Sequence, residues 1–221
     1  MCKMRIRQES AAESDSFRDA AEVRADEKTG GGNPSAAPRA LKRGGRLAAE
    51  YVVKVAVMSA MLTALKFALS FIPNVEVVTL LIMVYAAVFG VLYTLPAVCV
   101  FCAVEVAIYG FGSWVLLYFV YWPALALLCC ALFRRRRSLL VAVAIAAVMS
   151  ALFGVLSACT DTLFVAVGFP GLDLGAYWAA YYVRGLYFDL VHAVSNFCVV
   201  GLLFLPLCAA GDRIKRSVRR A

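Results

Sequence analysis

Residues 177–197 read YWAAYYVRGLYFDLVHAVSNF, and the chain then stays apolar to Leu207. The second half of this stretch is long enough to cross a bilayer, which takes about 20 mostly apolar residues in a helix. It nevertheless carries Asp189, His192 and Asn196, which share one helix face because the second and third lie three and seven positions after the first. Ionisable groups at membrane depth are costly and normally face a cavity or a partner helix. The stretch therefore predicts a membrane helix with one polar face.

Two interpretations of this polar face are open. Gly185 lies one turn before Asp189, and aromatic residues crowd the start of the segment, so the face can form half of a site for a small molecule. The same polar side chains can instead form a hydrogen-bond network between helices that only holds a bundle together. The three polar residues taken together favour the small-molecule site.

The whole chain has the composition of a polytopic membrane protein. Of its 221 residues 63% are hydrophobic, with a mean hydropathy of +0.82, whereas soluble domains are about half apolar. The apolar runs begin near residue 51. We expect a disordered polar tail over residues 1–47, one transmembrane domain over 48–210, and a basic cytoplasmic tail over 211–221.

The net charge of +8 indicates topology and does not suggest a nucleic-acid partner. The excess lies in three clusters that abut apolar spans: Arg134 to Arg137, Arg213 to Arg220, and Lys42 with Arg43 and Arg46. Basic flanks stay in the cytoplasm and contact anionic lipid head groups. With about six spans all three clusters fall on one side, whereas five spans would put one cluster on the wrong side.

The predicted fold class is an all-α membrane protein, a bundle of about six transmembrane helices with both termini in the cytoplasm. We expect it to be a multi-pass protein of the plasma membrane. The predicted spans are about 51–72, 77–92, a third opened by Pro96, a fourth from Ser113 to the four arginines, 139–167, and the segment quoted above. Breaks at Pro73, Gly110 and Pro170 then face outward.

The first span has a stripe of small residues. Ala56, Ala60 and Ala64 recur every four positions, and such stripes let another helix backbone approach closely. Lys66 lies well away from the stripe, so one face of this helix is suited to helix contact and another presents an ammonium group.

Polar residues concentrate in the outer halves of the predicted spans and form the candidate substrate-binding set. The set comprises Lys66, Asn74, Glu76, Glu105, Trp114, Asp161, Tyr182, Arg184, Asp189, His192 and Asn196. Ser150, Gly154, Ser157 and Asp161 also share one face of the fifth span. Lys66, Asp161 and Asp189 are expected at comparable depth, where they converge on one site or, alternatively, Lys66 forms a structural ion pair with one of the two aspartates.

No cofactor, metal site or catalytic group is predicted. Cys99 and Cys102 form a CxxC without a second ligand pair, and no GxxxxGK[ST] phosphate-binding loop occurs. His192 and Ser195 can meet on one helix, but no third group completes a catalytic set. An intramembrane, protease-like enzyme using His192 and a purely structural membrane protein remain the alternatives to a binding protein.

The chain resembles a known family, the substrate-binding S components of energy-coupling factor (ECF) vitamin transporters. The resemblance covers about residues 50–210. It rests on three stretches: the stripe AVMSAMLTA at 56–64, the turn IPNVE at 72–76, and GLYFDLVHAVSN at 185–196.

The resemblance implies a function and partners. An S component binds a vitamin or similar micronutrient from outside and docks through its first-span alanines, here Ala56, Ala60 and Ala64, onto a transmembrane T component. That component couples to two cytoplasmic ATPases, so the chain itself is not expected to be an enzyme. The excess of carboxylates over buried lysine, together with the aromatic residues, favours a ligand with a flat ring and a cationic group.

Overall fold

The computed structural model describes residues 37–218, and all regular structure in this range is helical. The helices are α1 (Ala37–Leu69), α2 (Val78–Val88), α3 (Val91–Tyr109), α4 (Ser113–Phe133), α5 (Leu139–Gly168) and α6 (Leu174–Val218). Within the described range, 5 of them are long and apolar enough to cross a membrane. The prediction of an all-α fold is confirmed for the described residues, and these five helices are consistent with a multi-pass membrane protein.

The chain divides into two units, residues 1–50 and 51–221. In the described part of the first unit, residues 37–50 are helical, and Arg46 Nε lies 3.2 Å from Glu50 Oε1 one turn later. Residues 37–47 were expected to belong to a disordered tail, but they extend α1 because Pro38 suits a first helical turn and alanine, leucine and lysine are strong helix formers. The rest of the predicted tail, residues 1–36, lies outside the described range.

One end of the second unit gathers basic side chains, and we call it the basic end. Arg137 donates two hydrogen bonds to Asp212, at 2.6 and 3.2 Å, and so joins the loop after α4 to the last turns of α6. Lys215 donates to the carbonyl of Val88 at 2.9 Å, which brings the junction of α2 and α3 to the same end. Helix α6 continues through residues 211–218, which were assigned to a tail.

The three loops that contain the predicted breaks lie at the opposite end, which we call the loop end. Ser113, at the start of α4, donates to Asp161 near the end of α5 at 2.5 Å, and Tyr177, near the start of α6, donates to Asp161 at 2.6 Å. Asn74, from the loop after α1, lines the same cavity as Tyr177. The positive φ of 80° at Gly110 and 103° at Gly171 explains why these breaks contain glycine.

The predicted second span, 77–92, is the main correction to the sequence analysis. Helix α2 has 11 residues and is therefore about 16 Å long, roughly half of a bilayer core. The rest of this pass is the irregular segment 70–77, whose Glu76 accepts a hydrogen bond from Asn196 in the middle of α6. Irregular backbone at membrane depth is tolerated only when protein surrounds it or it lines a cavity. Residues 51–218 thus pass between the two ends six times, once by way of a short helix and a loop.

Pro96 lies at the sixth position of α3 and not at its start, so the prediction that it opens the third span is wrong. Proline has no N–H group, and the carbonyl of Leu92 one turn earlier therefore lacks its helical donor. The hydroxyl of Tyr51 donates to that carbonyl at 3.0 Å. A side chain from α1 thus satisfies the group that the proline leaves unpaired.

The core of the second unit surrounds α2. Nearly every residue of this helix is buried, and Ile82 and Met83 are 0% exposed. A helix that is apolar on all sides belongs inside a bundle. Phe101, Tyr121 and Phe204 bring α3, α4 and α6 into the same core. This packing holds segment 70–77 at a fixed position against α6, next to the polar side chains.

Candidate functional site

The polar face of α5 meets the polar face of α6 in an antiparallel arrangement. Ser150 accepts a hydrogen bond from Asn196 at 3.0 Å, and the hydroxyls of Ser157 and Tyr181 lie 3.3 Å apart. The paired positions, from the middle of the bundle to the loop end, are Ser150 with Asn196, Gly154 with Asp189, Ser157 with Tyr181, and Asp161 with Tyr177. The shared face predicted for α5 is therefore the face that contacts α6.

A cavity of about 600 Å³ opens between these two helices, and we call it the aromatic cavity. Its lining is Asn74, Phe153, Gly154, Ser157, Tyr177, Ala180, Tyr181, Tyr182, Arg184, Gly185, Phe188 and Asp189. The volume lies within the range of small-molecule sites, about 300–1,000 Å³. Several aromatic rings and a few polar groups, as found here, are the usual lining of such sites.

Asp189 has an unusual environment within this lining. Its Oδ2 atom is buried, and no described residue donates a hydrogen bond to it. The carboxylate lies against the backbone of α5 at Gly154, where a Cβ atom would collide with all three carboxylate atoms. Glycine at this position is what allows the carboxylate to occupy its place. A buried carboxylate oxygen without a donor is costly, so the packing of α5 against α6 must hold this group in place against that cost.

His192 and Asn196 lie deeper than Asp189, in a buried network around Glu76. Asn196 Nδ2 donates to Glu76 Oε1 at 3.1 Å, and Thr79 donates to the same carboxylate from its hydroxyl at 2.6 Å and its backbone N–H at 3.0 Å. His192 Nε2 lies 3.4 Å from Glu76 Oε1, without hydrogen-bond geometry. The polar face of α6 is therefore divided: Asp189 lines the cavity, and the other two residues anchor segment 70–77.

The network predicts different costs for two substitutions of Asn196. Asn196→Ala removes the donor shared by Glu76 and Ser150 and is expected to lower stability by about 1–3 kcal/mol. Asn196→Asp is expected to cost more, because it also places a second carboxylate within about hydrogen-bond distance of Glu76. Thermal unfolding of the two purified variants, followed by intrinsic fluorescence, measures the difference. Equal melting temperatures of the two variants would show that Asn196 does not donate a hydrogen bond to the Glu76 carboxylate.

Lys66 is not part of the cavity. Its ammonium group forms an ion pair and a hydrogen bond with Glu105, a residue of α3 whose side chain is 1% exposed. The same ammonium lies 4.9 Å from the ring centre of Tyr118 and 5.1 Å from that of Tyr109. The proposed pairing of Lys66 with Asp161 or Asp189 is therefore wrong, because α3 and α4 supply both the counter-ion and the surrounding rings.

Asp161 and Trp114 also lie outside the cavity lining. Both carboxylate oxygens of Asp161 accept hydrogen bonds, from Ser113 and Tyr177 as described above. The indole of Trp114 packs edge-on against Tyr118, with 5.1 Å between ring centres. Asp161 thus holds Tyr177 in place, and the expected convergence of Lys66, Asp161 and Asp189 on one site is not observed. In the described part of the chain, no group of His, Cys, Asp and Glu residues is arranged to hold a metal ion.

The predicted site residues consequently fall into three groups. Asn74, Tyr182, Arg184 and Asp189 line the cavity; Glu76, His192 and Asn196 form the network beneath it; Lys66, Glu105, Trp114 and Asp161 make separate contacts between helices. The candidate substrate-binding set omitted the three cavity residues of α5, which are Phe153, Gly154 and Ser157. Gly154 and Ser157 had been assigned to the shared face of α5, and that spacing was the available signal.

A second concave surface lies between α1 and α3, and we call it the alanine groove. Ala56, Ala60 and Ala64 are all exposed and line it together with Val100, Val104 and Ile108 of α3, around a volume of about 470 Å³. The stripe predicted to contact another helix is thus open in this chain.

No protein-family model, curated protein or solved structure matches the chain.

Proposed function

We propose that the chain is the substrate-binding S component of an ECF-type importer, which captures a vitamin-like small molecule and delivers it through a T component and two ATPase subunits. The observation that carries the proposal is the aromatic cavity between α5 and α6, whose lining includes Asn74 of segment 70–77 and the acidic residue Asp189. The resemblance of residues 56–64, 72–76 and 185–196 to this family supports the same assignment.

The distribution of charge supports an orientation for this function. Arg134, Arg135 and Arg136 are exposed at the basic end, together with Arg137 and Lys215. If basic flanks mark the cytoplasmic side, the cavity at the loop end opens toward the outside of the plasma membrane. Both termini then lie in the cytoplasm, and the cavity can collect a substrate from the medium.

The alanine groove is the proposed docking site for the T component. Its small side chains let a partner helix approach the backbone of α1 closely, as in other membrane helix contacts. The groove lies on α1 and α3, whereas the aromatic cavity lies between α5 and α6. Docking and substrate binding therefore use separate surfaces.

Reconstitution tests the function directly. The small molecule that co-purifies with the chain is identified by mass spectrometry and supplied to liposomes that contain the chain alone or with candidate T and ATPase subunits. We expect binding in both cases and ATP-driven uptake only with the subunits. Uptake by the chain alone would contradict the proposal.

Turnover of a lipid or peptide that depends on His192 would favour the enzyme, although the 4% exposure of His192 disfavours substrate access. The absence of any tight ligand would favour a structural protein.

The groove gives a second expectation. Ala60→Leu fills the groove and is expected to lower uptake at least tenfold, because overpacking a close interface costs about 1–3 kcal/mol. Ligand affinity of the isolated chain should stay within twofold, since the cavity does not involve α1. Ala48→Leu is the matched control, an exposed alanine of the same helix that lies outside the groove and about a third of a turn around the helix from Ala60. Equal loss of binding and uptake in Ala60→Leu would show that the stripe serves this chain's own fold.

A further inference from the structure

We propose that the ligand of the aromatic cavity is a small aromatic acid whose carboxylate binds the guanidinium group of Arg184. The inference rests on the proposed function only in taking the cavity as a binding site. It goes further by assigning the charge of the ligand and the residue that selects it. It departs from the cationic ligand that the count of carboxylates in the sequence favours.

The three carboxylates behind that count are engaged or turned away from the cavity. Glu105 is paired with Lys66 between α1 and α3, and both oxygens of Asp161 accept hydrogen bonds from hydroxyl groups. Asp189 lines the cavity, but its carboxylate lies against α5 at Gly154, where its Oδ2 atom is buried. None of the three therefore presents a pair of free oxygens to a ligand in the cavity.

The other polar side chains of the lining include three free hydrogen-bond donors. The hydroxyls of Tyr177 and Tyr181 are already paired with polar groups of α5. Asn74, Tyr182 and Arg184 have no hydrogen bond or ion pair with any residue that the structure describes. An amide N–H, a phenol O–H and a guanidinium group can each donate to an oxyanion. The free groups of the lining thus suit a ligand rich in acceptors.

Arg184 supplies the positive charge of this lining, and no other cation of the described residues belongs to it. A guanidinium group holds its donors in one plane, which matches the two oxygens of a carboxylate. The side chain is exposed, so a molecule that enters from the loop end can reach it. Along α6, Arg184 lies about 7.5 Å nearer the loop end than Asp189, which separates a bound anion from that carboxylate.

The rings of the lining favour a flat body on the same ligand. Phe153 and Phe188 precede Gly154 and Asp189 in the chain, and both line the cavity. Aromatic side chains pack against a flat ring in stacked or edge-on arrangements. A ligand with its ring among these side chains and its carboxylate at Arg184 would use both the apolar and the charged part of the lining.

A set of three probes of similar size separates charge from shape: phenylacetate, 2-phenylethanol and 2-phenylethylamine. Each is titrated against the purified full chain by isothermal titration calorimetry, up to 10 mM. We expect phenylacetate to bind at least tenfold more tightly than the alcohol and the amine. Arg184→Gln should abolish this preference, and Arg184→Lys should retain part of it, because lysine keeps the charge but loses the planar donors.

Arg213→Gln is the matched control, since it removes the same charge from an exposed arginine of α6 outside the cavity. It should retain the full preference for phenylacetate, and equal loss in this variant would show that only the net charge of the chain attracts the anion. Melting temperatures confirm that all three variants are folded.

Several other outcomes would overturn the inference. These are equal binding of phenylacetate and the alcohol, tightest binding of the amine, no binding of phenylacetate at 10 mM, and a preference that survives in Arg184→Gln. If uptake requires the partner subunits but the co-purified molecule has no anionic group, the importer function stands and this inference fails. If phenylacetate binds through Arg184 and uptake requires no partner subunit, the reverse holds.

Discussion

Gly154→Ala is expected to destabilise the protein by about 1–3 kcal/mol and to weaken ligand binding more than tenfold. The added methyl group would occupy the space now filled by the Asp189 carboxylate, so the carboxylate must move out of its place in the cavity. In most exposed helix positions the same substitution stabilises, because alanine is the better helix former by up to about 1 kcal/mol. The sign of the effect therefore reports on the contact with Asp189.

A second substitution and a control isolate the contact between Gly154 and Asp189. Asp189→Ala removes the atoms that the new methyl group would meet, so Gly154→Ala should be close to neutral in that background, a coupling expected for residues in direct contact. Gly201→Ala is the matched control, since a Cβ there would meet only Val143, at an ordinary 3.9 Å. Denaturant unfolding in detergent micelles compares the wild type with Gly154→Ala, Asp189→Ala, the double variant and Gly201→Ala. Equal destabilisation by Gly154→Ala with and without the Asp189 carboxylate would contradict the geometry.

Lys66→Met is expected to be the most destabilising single substitution that we consider, at about 3–5 kcal/mol. It leaves the carboxylate of Glu105, which is 1% exposed, without its counter-ion, and unpaired buried charges carry the highest cost. Combining it with Glu105→Leu should restore much of the lost stability, because replacing both members of a buried pair with apolar residues is often neutral. Melting temperature and unfolding free energy give the comparison.

The partner of Lys66 is tested by a second combination. Asp161 forms its hydrogen bonds with Ser113 and Tyr177 and has no contact with Lys66, so Asp161→Asn should not rescue Lys66→Met. Rescue by Asp161→Asn instead of Glu105→Leu would mean that the ion pair of the structure is incorrect. Ligand affinity should change little in the rescued double variant, since neither Lys66 nor Glu105 lines the cavity.

The helical class and the positions of most helices could be predicted because they depend on local features. Helices α4 and α5 begin and end within about a residue of the predicted positions, where Gly112, the arginine run and Ser138 interrupt apolar periodicity. The pass made by α2 could not be read in the same way. The break at Pro73 in segment 70–77 was predicted, but only the hydrogen bond of Glu76 to α6 and the packing around α2 place the segment inside the bundle.

The polar face of α6 shows the same division for the candidate site. Helical periodicity alone determined that Asp189, His192 and Asn196 lie on one side, since a helix repeats its direction every 3.6 residues. Which of them meets a cavity depends on what lies opposite: the bare backbone of Gly154 faces Asp189, while Glu76 from a distant segment reaches His192 and Asn196.

Composition and local periodicity thus determined that the chain is helical with several helices apolar enough to cross a membrane, where most of its helices run and which residues share a face. Tertiary packing alone decided that Lys66 pairs with Glu105, that Glu76 anchors an irregular segment, and that the Asp189 carboxylate lies against Gly154, with no donor to its Oδ2 atom among the described residues. The reason is physical: helix formation depends on neighbours within a turn or two. The partner of a buried charge depends on which helices pack together, and spacing along one helix does not contain that information.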